Sequence, residues 1–240
     1  MYLFHNTADA VRPSNPGFAL RSPGTWQMIV ARNNTWTGTG YAVENANTSQ
    51  PLDFDYDNLF TSGPELAWWG GTHYPTLAAF RSGTGLELHG VSLAPGFANA
   101  AGGDYTLAPN SGLIDKGVAI PGINDGFVGS APDLGAYEFT PALNVSAVPG
   151  DQTVALAWSL NATLPVTATW RITYTGPAAT PASPVTGLAS AIRSQSFSGA
   201  TNYVPYAFTV NALLDDTPIF TGTVSSMPSN RLVRLPLVRK

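Results

Sequence analysis

Glycine and proline interrupt this chain so often, 24 and 20 times in 240 residues, that long helices have little room to form. Glycine costs helix stability and proline removes a helical hydrogen bond, so the stretches between them must be short or extended. In residues 111–139, SGLIDKGVAIPGINDGFVGSAPDLGAYEF, each apolar piece is too short for a helix and is bounded by Gly, Pro or Asp. The chain therefore reads as an all-β protein. At 44% hydrophobic residues it can build a real core.

Charged residues make up 11%, below the usual quarter or so, and the net charge of -4 is not gathered into blocks. Nucleic acid calls for a clustered basic surface, so that partner is not expected. No apolar run reaches the roughly 18 residues of a membrane-spanning helix. The absence of cysteine removes disulfides, thiolate metal sites and a thiol nucleophile. Abundant Thr, Ser, Asn and Gly with scarce Lys and Glu points to an extracellular or cell-surface location. The opening YLFHNTADA has no signal-peptide pattern, so this location implies that Met1 lies inside a longer reading frame.

Two patterns of strand divide the chain. The first half reads as brief strands over 2–7, 17–22, 26–36, 40–46 and 52–60, and PTLAAFRSG at 75–83 allows one or two helical turns. An Asn closes three of these runs, at Asn6, Asn34 and Asn58, with spacings of 28 and 24. A repeat of that size suits a solenoid, whose equivalent side chains stack as ladders. An Asn at each corner tolerates left-handed backbone and can bond to the next. From 142 to 226 the strands alternate apolar and polar residues over 151–158, 167–174, 194–199, 206–213 and 218–225, which is sandwich spacing.

The stretch from 66 to 118, LAWWGGTHYPTLAAFRSGTGLELHGVSLAPGFANAAGGDYTLAPNSGLIDKGV, followed by APDLGAYEF at 131–139, carries an ordered series of motifs. These are Pro95 and Phe97, then Asp104, Tyr105 and Leu107, then Ser111, Ile114, Asp115 and Gly117, and finally Pro132, Asp133, Gly135, Ala136, Tyr137 and Glu138. The series resembles the C-terminal end of bacterial right-handed parallel β-helix proteins of the pectate-lyase-like kind, departing at Gly112 and Leu113. The resemblance implies that residues 1–140 are the last coils and cap of such a helix, with further coils upstream. Asp115 and Asp133 then accept hydrogen bonds from turn amides in a lid over the final coil. Trp158, Trp170 and TNYVPYAFTVNA resemble a fibronectin type III module over 141–227, with Tyr206 as its corner residue and Phe208 and Val210 in its core. Residues 228–240 form a basic tail, and RLVRLPLVRK within it resembles the endings of some exported bacterial proteins.

Asp53, Asp55 and Asp57 alternate in LDFDYDNLF, so in a strand they share one face, where calcium or solvent must screen them. Trp68, Trp69, His73 and Tyr74 crowd a Gly-rich loop, either as a carbohydrate contact, aromatic faces stacking on sugar rings, or folded over the solenoid's side. For a polysaccharide lyase, the resemblance implies a basic proton acceptor. Arg32, Arg81, His89 and Lys116 are candidates by charge alone, and His89 also suits a turn or core position. The functional expectation is a scaffold that caps a solenoid, presents it at the surface and contacts polysaccharide. Alternatives are part of a lyase or glycosidase whose catalytic residues lie mostly upstream, and a passive adhesin.

Overall fold

A computed structural model describes residues 1–21 and 28–230. The start of the strand expected over 26–36, the end of that over 17–22 and the basic stretch 231–240 fall outside the described residues. The protein is all-β, no sheet among the described residues is closed into a barrel, and the chain divides into two compact units, Met1–Thr140 and Pro141–Lys240. Among the described residues no helix is long and apolar enough to cross a membrane.

Among the described residues of the first unit nine short strands pair in parallel. They are β1 (Tyr2–Phe4), β2 (Thr7–Asp9), β3 (Phe18–Leu20), β4 (Ile29–Arg32), β5 (Thr35–Gly38), β6 (Val43–Asn45), β7 (Leu52–Phe54), β8 (Asn58–Thr61) and β9 (Ala67–Trp69). The first sheet is β1-β4-β7, the second β2-β5-β8 and the third β3-β6-β9, so the chain visits the three sheets in the same order three times. β10 (Thr72–Tyr74) folds back antiparallel on β9. Three stacked rows turn inward, Leu3, Ala31 and Phe54 from the first sheet, Ala8, Trp36 and Leu59 from the second, and Phe18, Val43 and Ala67 from the third, and Leu20, Ile29 and Trp69 add to the same core. Phe18 stacks on Trp36 at 4.8 Å between ring centroids.

The helix α1 (Leu77–Thr84) forms where one or two turns were expected. Thr76 Oγ1 accepts the Ala79 N–H, and Gly85 ends the helix in left-handed backbone. Leu77 and Phe80 enter the same core, with Phe80 edge-on to Trp69 and Tyr74. The chain then begins a partial fourth circuit. Glu87 N donates to Phe54 O, and Val91 bridges Asn58 in parallel.

Register corrects the expected Asn repeat. Thr35 pairs with Thr7 and with Asn58, so Asn58 occupies the position after the corner. The residue equivalent to Asn6 and Asn34 is Asp57. Asn6 N and Nδ2 donate to Asn34 Oδ1 at 2.9 and 2.8 Å, and Asn34 N and Nδ2 donate to Asp57 Oδ1 at 2.7 and 2.9 Å. The left-handed corner residues are those just before, His5, Asn33 and Tyr56, with φ of 53°, 61° and 60°. A short circuit, 23 residues from Thr35 to Asn58, hides the equivalence from a search for identical letters.

The segment expected as a lid runs instead along the outside of the second sheet. Leu93 exchanges two hydrogen bonds with the Asn58 side chain, Val118 two with Asn33, and Ala136 N donates to Thr7 Oγ1. Gly135, at φ 105°, lies so close that a Cβ there would sit 2.7 Å from Thr7 Oγ1. On the way, β11 (Phe97–Asn99) and β12 (Asp104–Leu107) form a hairpin, and Leu107, Leu113 and Leu134 form a small core. The expected carboxylate bonds are present: Asp115 Oδ1 accepts Ser130 N at 2.9 Å, and Asp133 Oδ1 accepts Asp115 N at 2.8 Å.

The second unit holds two antiparallel sheets. One comprises β13 (Leu143–Gly150), β14 (Thr153–Leu160) and β17 (Ser194–Ser198), and the other β15 (Thr169–Thr175), β16 (Val185–Ala189), β18 (Tyr206–Leu214) and β19 (Thr217–Ser226). Both contribute to one core containing Trp158, Trp170, Phe197, Tyr206, Phe208 and Val210. Tyr206 is buried, and its hydroxyl accepts the Thr201 N–H at 2.8 Å.

Candidate functional site

The third sheet sets the geometry of the aromatic cluster. Successive residues of a strand face opposite sides, so neighbours in sequence separate in space. Trp69 points inward, 7% exposed and edge-on to Phe54 and Phe80, while Trp68 is half-buried on the outer face. Tyr74 likewise packs on Phe80, and His73 is exposed. Of the four candidates, two line the core and two remain for a ligand.

Register aligns Ala19, Glu44, Trp68 and His73 across four neighbouring strands. Neighbouring strands lie about 4.8 Å apart, so the row spans roughly 14 Å. Arg21 grips Glu44 with two bonds of 2.8 and 2.7 Å. His73 Nδ1 lies 2.5 Å from Glu65 Oε2 and 3.1 Å from Tyr41 Oη. Desolvation, followed by the Glu65 and Glu44 carboxylates, holds the Tyr41 hydroxyl above its ordinary value. The arrangement is a flat indole edged by carboxylates, an imidazole, a phenol and a guanidinium. Its face can stack on an apolar ring face, while its rim exchanges hydrogen bonds with hydroxyl groups.

The three aspartates do not share a face. β7 ends at Phe54 and Tyr56 turns left-handed, so the alternation that would align them stops at Asp55. Asp53 bonds Arg32 at 2.7 Å, Asp55 accepts both His89 N and Nδ1 at 2.7 Å, and Asp57 is fully buried on the ladder. Among the described residues no group of three or more His, Asp or Glu side chains is placed to hold a metal ion.

The basic candidates are also engaged, apart from Lys116, which is exposed. Arg32 bonds the Asp53 side chain and carbonyl, and Arg81 bonds the carbonyls of Glu87 and Gly90. His89 pairs with Asp55 and stacks on Tyr56 at 4.6 Å. A cleft of about 380 Å³ beside His5 is lined by Phe4, Asn124, Phe127 and Glu138 among others. Its polar groups are already partnered. His5 Nε2 accepts from Asn33 and Asn124, which leaves Nδ1 to donate to Gly135 O, and desolvation lowers the imidazole's pKa. Both Glu138 oxygens accept backbone N–H groups.

One residue of chemical interest was missed in the sequence. Glu87 is fully buried beside Asp57. Its only signal was a separation of 30 residues from Asp57, close to one circuit. The chain matches no protein-family model and no curated protein sequence.

Proposed function

We propose that the first unit is the C-terminal end of a right-handed parallel β-helix whose third outer face contacts polysaccharide. The second unit is then a fibronectin type III-like module that spaces this end within an extracellular, surface-presented protein. Three ordered circuits with a corner ladder support the first part. The Tyr206 hydroxyl bond and the two-sheet core support the second. The observation that carries glycan contact is the outward row Glu44–Trp68–His73, in which half-buried Trp68 sits between the parallel strand β6 and the antiparallel strand β10. Engagement of Arg32, Arg81 and His89 in structural bonds favours binding over cleavage on this chain.

The test is a glycan-array screen followed by calorimetric titration of the best ligand. Trp68→Ala is expected to weaken binding at least tenfold, about 1.4 kcal/mol, without changing the melting temperature by more than a degree or two. Absence of any glycan ligand, or full affinity in the Trp68→Ala protein, would refute the reading. Release of new sugar ends by the wild-type chain would move it to the enzyme class.

A further inference from the structure

The corner ladder changes chemistry at its third step. In the two lower steps a side-chain oxygen accepts two bonds from the residue one circuit below, one from its backbone N–H and one from its amide Nδ2. In the third step Glu87 Oε2 accepts the Asp57 N–H at 3.1 Å, but Asp57 has no amide to supply the second bond. Both residues are fully buried, and Asp57 Oδ2 and Glu87 Oε1 lack partners. Two ionised carboxylates side by side without water are not sustainable.

We propose that Asp57 and Glu87 share one proton, which provides the missing rung and latches the partial fourth circuit onto the third. The groups around them do not supply a balancing charge directly. Asp55 is committed to His89, the Arg81 guanidinium bonds the carbonyls of Glu87 and Gly90, and Tyr56 stacks on His89. Burial raises both carboxyls and outweighs the two bonds from Asn34 that favour the ionised Asp57. A hard cation takes six or more oxygens, against the two left unpartnered here, so a proton fits the site better.

The latch holds a defined segment. Glu87 N bonds Phe54 O, Val91 N bonds Asp57 O, and Leu59 N bonds Val91 O. When the shared proton leaves, two like charges face each other at this seam, and the segment bearing His89 is the part that can move away. The device is set in acid and released in alkali.

Melting of the intact protein is compared between pH 5 and pH 8.5 for wild type, Asp57→Asn and Glu87→Gln. Either amide restores a permanent donor, as in the lower steps. Wild type is expected to lose at least about 5 °C more than either variant over this range. Each variant should also lose one protonated-carboxyl stretch from the infrared difference spectrum at pH 5. Equal losses with pH in wild type and both variants, or an unchanged infrared band, would overturn the proposal. So would a wild-type melting temperature raised at pH 8.5 by calcium chloride and not in Asp57→Asn, which would assign the site to a cation. Glu87→Gln keeps the test decisive should Asp57→Asn fail to fold.

Discussion

Two adjacent tryptophans, Trp68 and Trp69, have opposite surroundings because a strand turns consecutive side chains to opposite faces. Trp69→Ala removes a ring wedged between Phe54 and Phe80 and is expected to cost about 3–5 kcal/mol, read by denaturant unfolding of the first unit. Gly135 is the other position where a single side chain decides packing. Its φ of 105° and the 2.7 Å approach to Thr7 Oγ1 leave no space for a methyl group. Gly135→Ala is expected to destabilise by about 1–3 kcal/mol and to raise protease sensitivity in residues 111–139. The aromatic cluster was legible as a cluster. Which members face outward was not, because that depends on where β9 starts, and Trp-Trp-Gly-Gly does not mark that point.

At the scale of elements, the ladder explains why the corners hold without disulfides or long strands. Asn34 links three circuits by donating to Leu3 O and Asp57 Oδ1 while accepting from Asn6. Asn34→Ala leaves buried polar groups without partners and is expected to cost about 2–4 kcal/mol in chemical denaturation. Titration of these elements has a definite sign. Asp57 is raised from 3.8 to about 7 and Asp133 from 3.8 to about 6, by burial above all, and Glu87 is raised too. The folded chain therefore retains protons that the unfolded chain has lost. The stability of the first unit is expected to fall as pH rises from about 4 to about 7. His5 works in the other direction, since its depressed pKa withdraws stability as pH falls below about 6.5, and Asp55 withdraws more below about 4. A stability maximum in mild acid, mapped by melting temperature against pH, is the expected result, and a maximum above pH 8 would contradict it. The repeat behind the ladder was visible in Asn6 and Asn34. Its third member was misread by one position because an Asp occupies it, and Glu87 belongs to a circuit too partial to repeat anything.

At the scale of the whole molecule, the two units have separate cores. One is built around Trp36, Phe54 and Trp69, and the other around Trp158, Trp170 and Phe208. Trp170→Ala is expected to lower the melting transition of the second unit by about 3–5 kcal/mol and leave that of the first in place, resolved by calorimetry. Composition and strand pattern were sufficient for the all-β class, the change to alternating strands after residue 140, the turn of helix at 77–84 and most of the second unit's strands. β13 and β16 escaped, β13 because Pro149 and Gly150 close it, although edge strands tolerate proline, and β16 because Pro184 and Gly187 make its stretch read as an irregular linker. These features are local, set by backbone freedom and by alternation within one strand, and so they are written in neighbouring residues. The course of residues 93–136 along the second sheet, the engagement of the aspartates and basic side chains, and the meeting of Asp57 with Glu87 were decided only when circuits stacked. Stacking sets register between residues some 23 to 30 apart, and burial then fixes which oxygen finds a donor.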